Sequence, residues 1–322
     1  MSRPLRVVSF GECMLELQGT AFGDMRQTYG GDTLNTAVYL ARCGRGLCVD
    51  YATALGDDAL SAGMLTRWQA EGLGTGLVRR LAGKLPGLYL IEVDANGERR
   101  FSYWRDQAAA RAYFDAPFDT PFGTSPGNTP LERQADDIDA LYLSGISLAI
   151  LPPAGRERLA ALAASLRQRG AMVAFDNNYR PRLWPDTAAA QAAFSQFMGL
   201  ASVALVTLDD EMALWGETSA ERALQRTLAL PCPELIIKRG AGATLVRVAG
   251  QPLLEVATEP VARVVDTTAA GDSFAGAYLA ARLQGATAAQ SAAAGNRLAA
   301  RVVQHRGAVI SLADMADLVA AA

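Results

Sequence analysis

The sequence is poor in the residues that many catalytic and binding sites require. Among its 322 residues there is one histidine, His305, which excludes a histidine-based catalytic triad and any metal site built from several histidines. We expect His305 to lie at the surface or at a helix end. The four cysteines are scattered without CxxC spacing, so we expect free thiols and a cytoplasmic protein.

Other absences narrow the choice of partner. The formal net charge of -3 provides no overall basic field for nucleic acid. No apolar run approaches the roughly 18 residues that a membrane span needs, and the first apolar run is too short for a signal peptide. We therefore expect neither nucleic acid nor a membrane as a partner. The chain has no GxxxxGK[ST] motif, so it is not a P-loop kinase, and no GxGxxG turn follows the first strand, which excludes a nicotinamide dehydrogenase.

Strands and helices alternate along most of the chain. The segment "LRVVSFGE" (5–12) predicts a buried strand, and "NTAVYLARCG" (35–44) predicts a helix that ends at glycine. From Ala140 onward, strand patterns such as "MVAFDNN" and "VALVT" again alternate with alanine-rich helical patterns. This order predicts an α/β fold with a mainly parallel central sheet.

One region does not fit the alternation. The segment "GLYLIEVDANGERRFSYW" (87–104) consists of two extended runs around "DANGE", which predicts a hairpin with Asn-Gly at its turn. We expect this hairpin to lie outside the main sheet. The segment 114–130 is rich in proline, glycine and threonine, and predicts an irregular loop.

The residues that follow the strands are the candidates for a binding site, because ligands of doubly wound sheets bind beyond the carboxyl ends of the strands. These residues are Gly11, 176–178, Thr207, 239–242 and 266–272.

The segment "VVDTTAAGDSFAGAYLA" (264–280) suggests chemistry as well as binding. A helix N-terminus presents unpaired backbone N–H groups, and the small residues Ala269, Ala270 and Gly271 allow an anion to approach them closely. A carboxylate here, Asp272, is useful if it accepts a proton from a hydroxyl that attacks the bound anion. Phosphoryl transfer requires this arrangement. The alternative is that Asp272 only caps the helix.

Two long segments resemble a known family. "DTTAAGDSFAGAYLA" (266–280) resembles the C-terminal signature of the ribokinase (pfkB) family of carbohydrate kinases, and "YGGDTLNTAVYLARCG" (29–44) resembles the N-terminal one. The resemblance implies a single ribokinase-like kinase domain over residues 1–322, with a three-layer fold. It also implies a small β lid, formed by about 12–29 and 86–106, and a reaction that uses ATP and Mg²⁺.

Further segments are similar to those of kinases that act on 2-keto-3-deoxy sugar acids. These are 86–111 and "FDNNYRPRLWPD" (175–186). Such a substrate carries a carboxylate, which arginine binds through paired N–H donors, so Arg105 and Arg180 are the candidate contacts. Arg182 is an alternative to Arg180, and Arg105 could instead be a solvated strand end. Tyr89 and Tyr103 on the hairpin could bind the sugar or pack within the strands.

The resemblance assigns roles to other positions. It implies that Gly31 and Asn35 contact the sugar, and that the lid pairs with a second subunit in a homo-oligomer. On the nucleotide side it implies Lys238, Gly240 and Gly242 after a strand, and Asn296 on a late helix.

The chain departs from the family where a metal–water network is expected. The usual Asn-x-x-Glu pattern is "LDDE" here, so Leu208 replaces the asparagine while Glu211 keeps the acid, to act through water. Asp209 or Asp210 could substitute for the missing amide. The resemblance also implies a possible monovalent-cation site at Asp266 and Thr268.

Two other functions compete with a sugar-acid kinase. A fructokinase- or ribokinase-like enzyme would not need two arginines at the sugar. A non-catalytic sugar-acid sensor would not need a base beside an anion site. Neither the gluconate nor the galactonate epimer is favoured by the residues themselves.

Overall fold

A computed structural model of the chain describes residues 3–93, 99–115 and 128–320. The strands are β1 (Arg6–Phe10), β2 (Met14–Gly19), β3 (Met25–Gly30), β4 (Cys48–Ala52), β5 (Ala54–Leu55), β6 (Arg79–Arg80), β7 (Leu88–Val93), β8 (Arg99–Trp104), β9 (Ala140–Ser144), β10 (Met172–Asp176), β11 (Val203–Thr207), β12 (Glu234–Arg239), β13 (Gly242–Val248) and β14 (Leu254–Val256). The helices are α1 (Asp32–Cys43), α2 (Ala59–Ala70), α3 (Pro130–Arg133), α4 (Gly145–Ile150), α5 (Pro153–Gln168), α6 (Thr187–Leu200), α7 (Leu208–Trp215), α8 (Ala220–Leu228), α9 (Ala270–Leu283), α10 (Ala288–Val302) and α11 (Ala316–Ala320).

The main sheet has eight strands in the order β14-β13-β12-β11-β10-β9-β1-β4, and the pairs from β12 to β4 are parallel. Side chains alternate between two separate cores, as in β10, where Val173 and Phe175 pack on one face and Ala174 packs on the other. One core contains α4 to α8, and the other contains α1, α2, α9 and α10. The result is the predicted three-layer fold, because parallel strands that are buried on both faces need helices on both sides.

A second sheet of four strands, β3-β2-β7-β8, lies outside the main one. Its strands come from the two segments predicted for the lid, 12–29 and 86–106, and we call it the lid sheet. The hairpin prediction is confirmed by the antiparallel pairing of β7 with β8, from Leu88 opposite Trp104 to Val93 opposite Arg99. Its Asn-Gly turn lies outside the described residues, as does most of the predicted loop at 114–130.

Helices α1 and α9 touch almost backbone to backbone. A Cβ on Gly276 of α9 would lie 2.6 Å from Cβ of Tyr39 and 2.9 Å from the carbonyl oxygen of Thr36. The first turns of the two helices are thereby held side by side. Among the described residues, no helix has the length and apolar content that crossing a bilayer requires.

Candidate active site

A cavity of about 430 Å³ opens where the main sheet, the first turns of α1 and α9, and the lid sheet meet. The main sheet contributes residues at the carboxyl ends of its parallel strands, as the topology predicts. The residues that line the cavity include Gly31, Asp32, Tyr89, Tyr103, Asp176, Asn178, Arg180, Thr207, Asp210, Lys238 and 267–272. We call the part around Lys238 and 269–272 the transfer end, and the part around Tyr89, Tyr103 and Arg180 the lid end.

The transfer end contains the predicted anion cradle. Ala269 precedes α9 in a left-handed conformation, with a φ of 59°, which is uncommon for a residue other than glycine. Ala269, Ala270 and Gly271 line the cavity. The N–H group of Ala270 donates to the carbonyl oxygen of Thr267 at 3.2 Å, so the donors left for a ligand are those of the neighbouring residues at this helix start. A Cβ on Gly271 would meet only the Lys238 ammonium, at 3.5 Å. Backbone donors and a cation therefore converge on one small space.

Asp272 lies next to this cradle, in the first turn of α9, and is partly open to the cavity. Its Oδ2 accepts a hydrogen bond from Asn35 Nδ2 at 2.8 Å. Burial raises the pKa of Asp272 to about 7, and the negative charges of Asp32 and Asp176 act in the same direction. A carboxyl group with this pKa is a much stronger base than an ordinary aspartate, and at neutral pH it can still accept a proton.

Asn35 is not among the residues that line the cavity, and its amide donates to the Asp272 carboxylate. A contact between Asn35 and the sugar stays a prediction. Asn35 lies one helical turn after Gly31. The close contact between α1 and α9 brings it opposite Asp272. Gly31 itself lines the cavity as predicted.

Asp32 is a site residue that the sequence did not single out. It begins α1 and lines the cavity, and its Oδ2 accepts hydrogen bonds from Ser144 Oγ at 2.5 Å and Asn178 Nδ2 at 2.7 Å. Burial raises its pKa. An acid directly after two glycines at a helix start was the available signal, but a first-turn acid is also ordinary helix chemistry.

At the lid end, the two predicted tyrosines face the cavity. Tyr89 donates its hydroxyl to Glu16, and its ring centroid lies 6.0 Å from that of Tyr103. Arg180 also lines the cavity, where its side chain is 52% exposed and lies 3.4 Å from Asp210. Arg182 is exposed and is not among the lining residues. The structure thus favours Arg180 over Arg182 as the arginine of this end.

Arg105 is placed differently from the prediction. It is buried and forms an ion pair with Glu12 at the base of the lid sheet, and it is not among the residues that line the cavity. It is therefore neither a solvated strand end nor an open carboxylate site. Glu12 is buried directly after β1, so its carboxylate relies on the Arg105 guanidinium to compensate its charge. Within the part of the chain that the structure describes, Glu12 Oε1 and Arg105 Nε have no hydrogen-bond partner.

Of the predicted nucleotide residues, Lys238 lies on β12 and lines the cavity, whereas Gly240 and Gly242 lie just beyond the end of that strand. Gly240 adopts a φ of +59° in the turn between β12 and β13, and Gly242 begins β13. Asn296 is buried; its Oδ1 accepts from Thr244 and its Nδ2 donates to the carbonyl oxygens of Val256 and Ala257. Asn296 thus ties α10 to the last two strands. A nucleotide role for it stays a prediction.

Glu211 is buried beside the cavity rather than on its wall. Asn177 Nδ2 lies 3.3 Å from its Oε1 and Arg226 lies 3.5 Å from its Oε2. Asn177, at the end of the neighbouring strand, thus places an amide beside Glu211. Substitution of Asp209 or Asp210 for the missing asparagine stays a prediction. Asp210 lines the cavity.

The carboxylates around the cavity do not form a metal cage. In the described ranges, no group of three or more histidine, cysteine, aspartate or glutamate residues could hold a metal ion. A partly open carboxylate, Asp210, next to buried Glu211 suits Mg²⁺ that keeps its waters and is carried by phosphate oxygens.

Asp266 lies at the edge of a larger cleft of about 980 Å³, between the lid sheet and segments 264–268 and 306–311. Its Oδ1 accepts from the backbone N–H and hydroxyl of Thr268, and its Oδ2 accepts from the N–H of Gly307 at 3.0 Å. These bonds hold the segment that leads into the cradle. A monovalent cation at this position stays a prediction.

Comparisons with known proteins agree with this architecture. The family model described as pfkB family carbohydrate kinase matches residues 5–315. A 2-dehydro-3-deoxygluconokinase from Dickeya dadantii is 47% identical over 313 residues, which cover 96% of this chain and 98% of that protein.

Solved structures also match along the whole chain. A crystal structure of a PfkB protein from Polaromonas sp. JS666 is 26% identical, with a TM-score of 0.78, over 99% of this chain and 100% of that one. An E. coli structure in complex with ATP and Mg²⁺ shares the fold, at 20% identity and a TM-score of 0.79, over 99% of this chain and 100% of that one.

Proposed function

The chain belongs to the pfkB family of carbohydrate kinases, and from this premise we propose that it transfers the γ-phosphoryl group of ATP to the terminal hydroxyl of 2-dehydro-3-deoxygluconate. The products are the 6-phosphate of that sugar acid and ADP. The observation that carries the proposal is the transfer end, where a carboxylate with a pKa of about 7 adjoins the N-terminus of α9. The choice of substrate is supported by the 47% identical relative of that name.

The geometry suggests how the residues act. Asn35 occupies Oδ2 of Asp272, which leaves Oδ1 to accept the proton of the substrate hydroxyl. The hydroxyl oxygen then forms a bond to the γ-phosphorus while the bond from that phosphorus to the bridging oxygen of ADP breaks. The backbone N–H groups of Ala269 and Gly271 and the Lys238 ammonium would stabilise the charge on the phosphoryl oxygens. The proton on Asp272 passes to solvent after product release.

Recognition of the sugar acid is assigned to the lid end. Arg180 is the cavity's exposed guanidinium, and its ion pair with Asp210 is long, at 3.4 Å. A substrate carboxylate can therefore displace or extend this contact with paired hydrogen bonds. Tyr89, Tyr103 and Gly31 form the walls around the sugar, and closure of the lid sheet would exclude water from the transfer end.

The remaining cofactor assignments are part of this proposal. Mg²⁺ would be carried by the ATP phosphates, with Asp210 and Glu211 reached through water. Lys238, Gly240 and Gly242 would lie along the nucleotide phosphates. Asp266 would hold a monovalent cation only if its bonds to Thr268 and Gly307 rearrange.

We also propose that the lid sheet joins two copies of the chain. Of the thirteen large hydrophobic side chains that are exposed in the described residues, three lie on the lid sheet or its β2–β3 turn and outside the cavity lining: Phe22, Met25 and Trp104. A partner copy would cover them. A cytoplasmic location is supported by the four cysteines, all of which are free thiols.

The test is a coupled ADP-release assay with a panel of 2-dehydro-3-deoxy acids of both epimers, fructose and ribose. We expect the highest kcat/KM with a sugar acid, and 6-phosphorylated product by mass spectrometry. A neutral sugar that exceeds every acid would overturn the substrate assignment while keeping the kinase. Saturable binding of the acid without ATP consumption would indicate a sensor.

A further inference from the structure

Asp176 lines the cavity and has no role in the mechanism described so far, although it forms an ion pair with Lys238. Lys238 Nζ lies 2.8 Å from Asp176 Oδ2, and the two side chains are only 11% and 6% exposed. Asp176 is the last residue of β10, and Lys238 is near the end of β12. The pair therefore spans the end of β11, the strand between them.

The surroundings of Lys238 fix where its ammonium points. The Phe274 ring of α9 lies on one side, with its centroid 5.9 Å from Nζ. Gly271 lies on another side and has no side chain to keep Nζ away from the cradle. A lysine stem is flexible and its ammonium is a point charge without preferred direction. Among the described residues, Asp176 forms the ion pair that holds the Lys238 ammonium here.

Asp176 is itself held in place. Its Oδ1 accepts from the backbone N–H of Asn178 at 3.3 Å, while Oδ2 faces Lys238. Both oxygens are therefore engaged by protein groups, and the oxygen that faces Lys238 makes the shorter contact. Its position at a strand end rather than on a loop keeps the ammonium in one location.

We propose that Asp176 is a positioning residue: it holds the Lys238 ammonium against the cradle of 269–271, so that Lys238 contacts the phosphoryl group in transfer and not only the nucleotide. This inference rests on the proposed function, since it needs ATP as the donor. The inference gives Lys238 a different role from Gly240 and Gly242, which lie in the turn beyond β12 and are assigned to the nucleotide phosphates.

The first experiment compares nucleotide binding by calorimetry, without sugar, in the parent and in Lys238→Met, Asp176→Asn and the double variant. The probes are the Mg²⁺ complexes of an imido analogue of ATP and of ADP. A charged hydrogen bond to the γ-phosphoryl group contributes a factor of about 10 or more. We expect Lys238→Met to weaken the ATP analogue by about that factor and to leave ADP within about threefold. Asp176→Asn should reduce the same preference for the ATP analogue.

The second experiment measures kcat with the sugar acid in the same variants. Because Asp176 acts through Lys238, the double variant should be no slower than Lys238→Met alone. The matched control is Asp317→Asn, which changes another aspartate that pairs with an arginine, Arg301, on the surface. It should leave both the nucleotide preference and kcat unchanged.

Three outcomes would overturn the inference. Equal weakening of the ATP analogue and ADP would make the pair a general structural contact. Multiplicative losses in the double variant would make Asp176 independent of Lys238. A raised KM for the sugar acid with unchanged kcat in Asp176→Asn would make Asp176 a sugar contact.

A parent protein without sugar kinase activity would contradict the proposed function and not this inference. The binding experiment would still test the placement of Lys238.

Discussion

The two ends of the cavity are built in different ways. At the transfer end, Asp272 and Lys238 each have a fixed protein partner, Asn35 and Asp176, on helices and strands of the main layers. At the lid end, Tyr103 is 49% exposed and Arg180 is 52% exposed. On the proposed function, the groups for phosphoryl transfer have their protein partners before substrate arrives, whereas the groups assigned to recognition would gain partners from the substrate.

The largest effect is expected at the transfer end. Asp272→Asn removes the proton acceptor and should lower kcat by about 10²–10⁴-fold, the usual contribution of a general base. Binding of ATP and of the sugar acid should change little, because the amide has nearly the same shape. Steady-state kinetics and equilibrium binding measure the two effects. A variant that keeps turnover within about threefold would show that Asp272 is only a helix cap.

Variants of Arg180 and Arg105 should distinguish an effect on substrate recognition from an effect on folding. Arg180→Ala should lower kcat/KM for the sugar acid by roughly 10- to 150-fold, the value of a charged hydrogen bond, and affect a neutral analogue little. Arg180→Lys should recover only part of this, because an ammonium cannot make the paired contact.

Arg105→Ala is the matched comparison. It leaves Glu12 buried without its partner, so we expect a loss of about 3–5 kcal/mol in unfolding free energy and equal losses for acid and neutral substrates. A loss specific to the acid would instead support the sequence-based prediction that Arg105 binds the carboxylate.

The pH dependence tests the charges around Asp272. Activity needs its ionised form, so kcat/KM should fall as the pH drops through about 7. Asp32 and Asp176 favour protonation of Asp272, while Asn35 and Lys238 favour ionisation. Asp32→Asn should therefore move the acid limb to lower pH. An acid limb that does not move in that variant would show that the charge of Asp32 does not contribute to the pKa of Asp272.

The raised pKa of Asp272 also predicts how the stability of the folded protein depends on pH. The pKa of Asp272 is raised from 3.8 in the folded protein, so its contribution to stability is complete below that value and is lost as the pH rises through about 7. Asp272→Asn should consequently gain stability relative to the parent at pH 8 but not at pH 4. Thermal unfolding at both values measures this difference.

The smallest effect is expected for Ala269. Its left-handed φ costs an alanine about 1 kcal/mol relative to glycine. Ala269→Gly should therefore raise the melting temperature slightly, in spite of the greater freedom of the unfolded chain. A lower melting temperature would show that the turn is not strained.

The fold was largely predictable from the sequence, because buried parallel strands and amphipathic helices leave strong periodic patterns. Boundaries such as Gly44 after α1 and Asp58 before α2 follow from cap residues. Short elements such as α8 and β14 are harder to predict, because nine and three residues give only a brief periodic pattern of hydrophobic positions.

The site was predictable only in part. The cradle and Asp272 are contiguous in sequence, so their pattern is visible. The pairs Glu12 with Arg105 and Asn35 with Asp272 join residues 93 and 237 positions apart. No local pattern reports such pairing, since it depends on how the elements pack.

The contact at Gly276 has a consequence for recombining this chain with its relatives. Helices α1 and α9 come from opposite ends of the chain, yet the bare surface of Gly276 fits against the backbone of 36–40. A chimera that takes one of these helices from another kinase would bring a foreign surface to this contact. A bulkier residue at either side would push the helices apart and carry Asn35 away from Asp272. Exchange between homologues should therefore succeed at crossover points that keep both helices from a single parent.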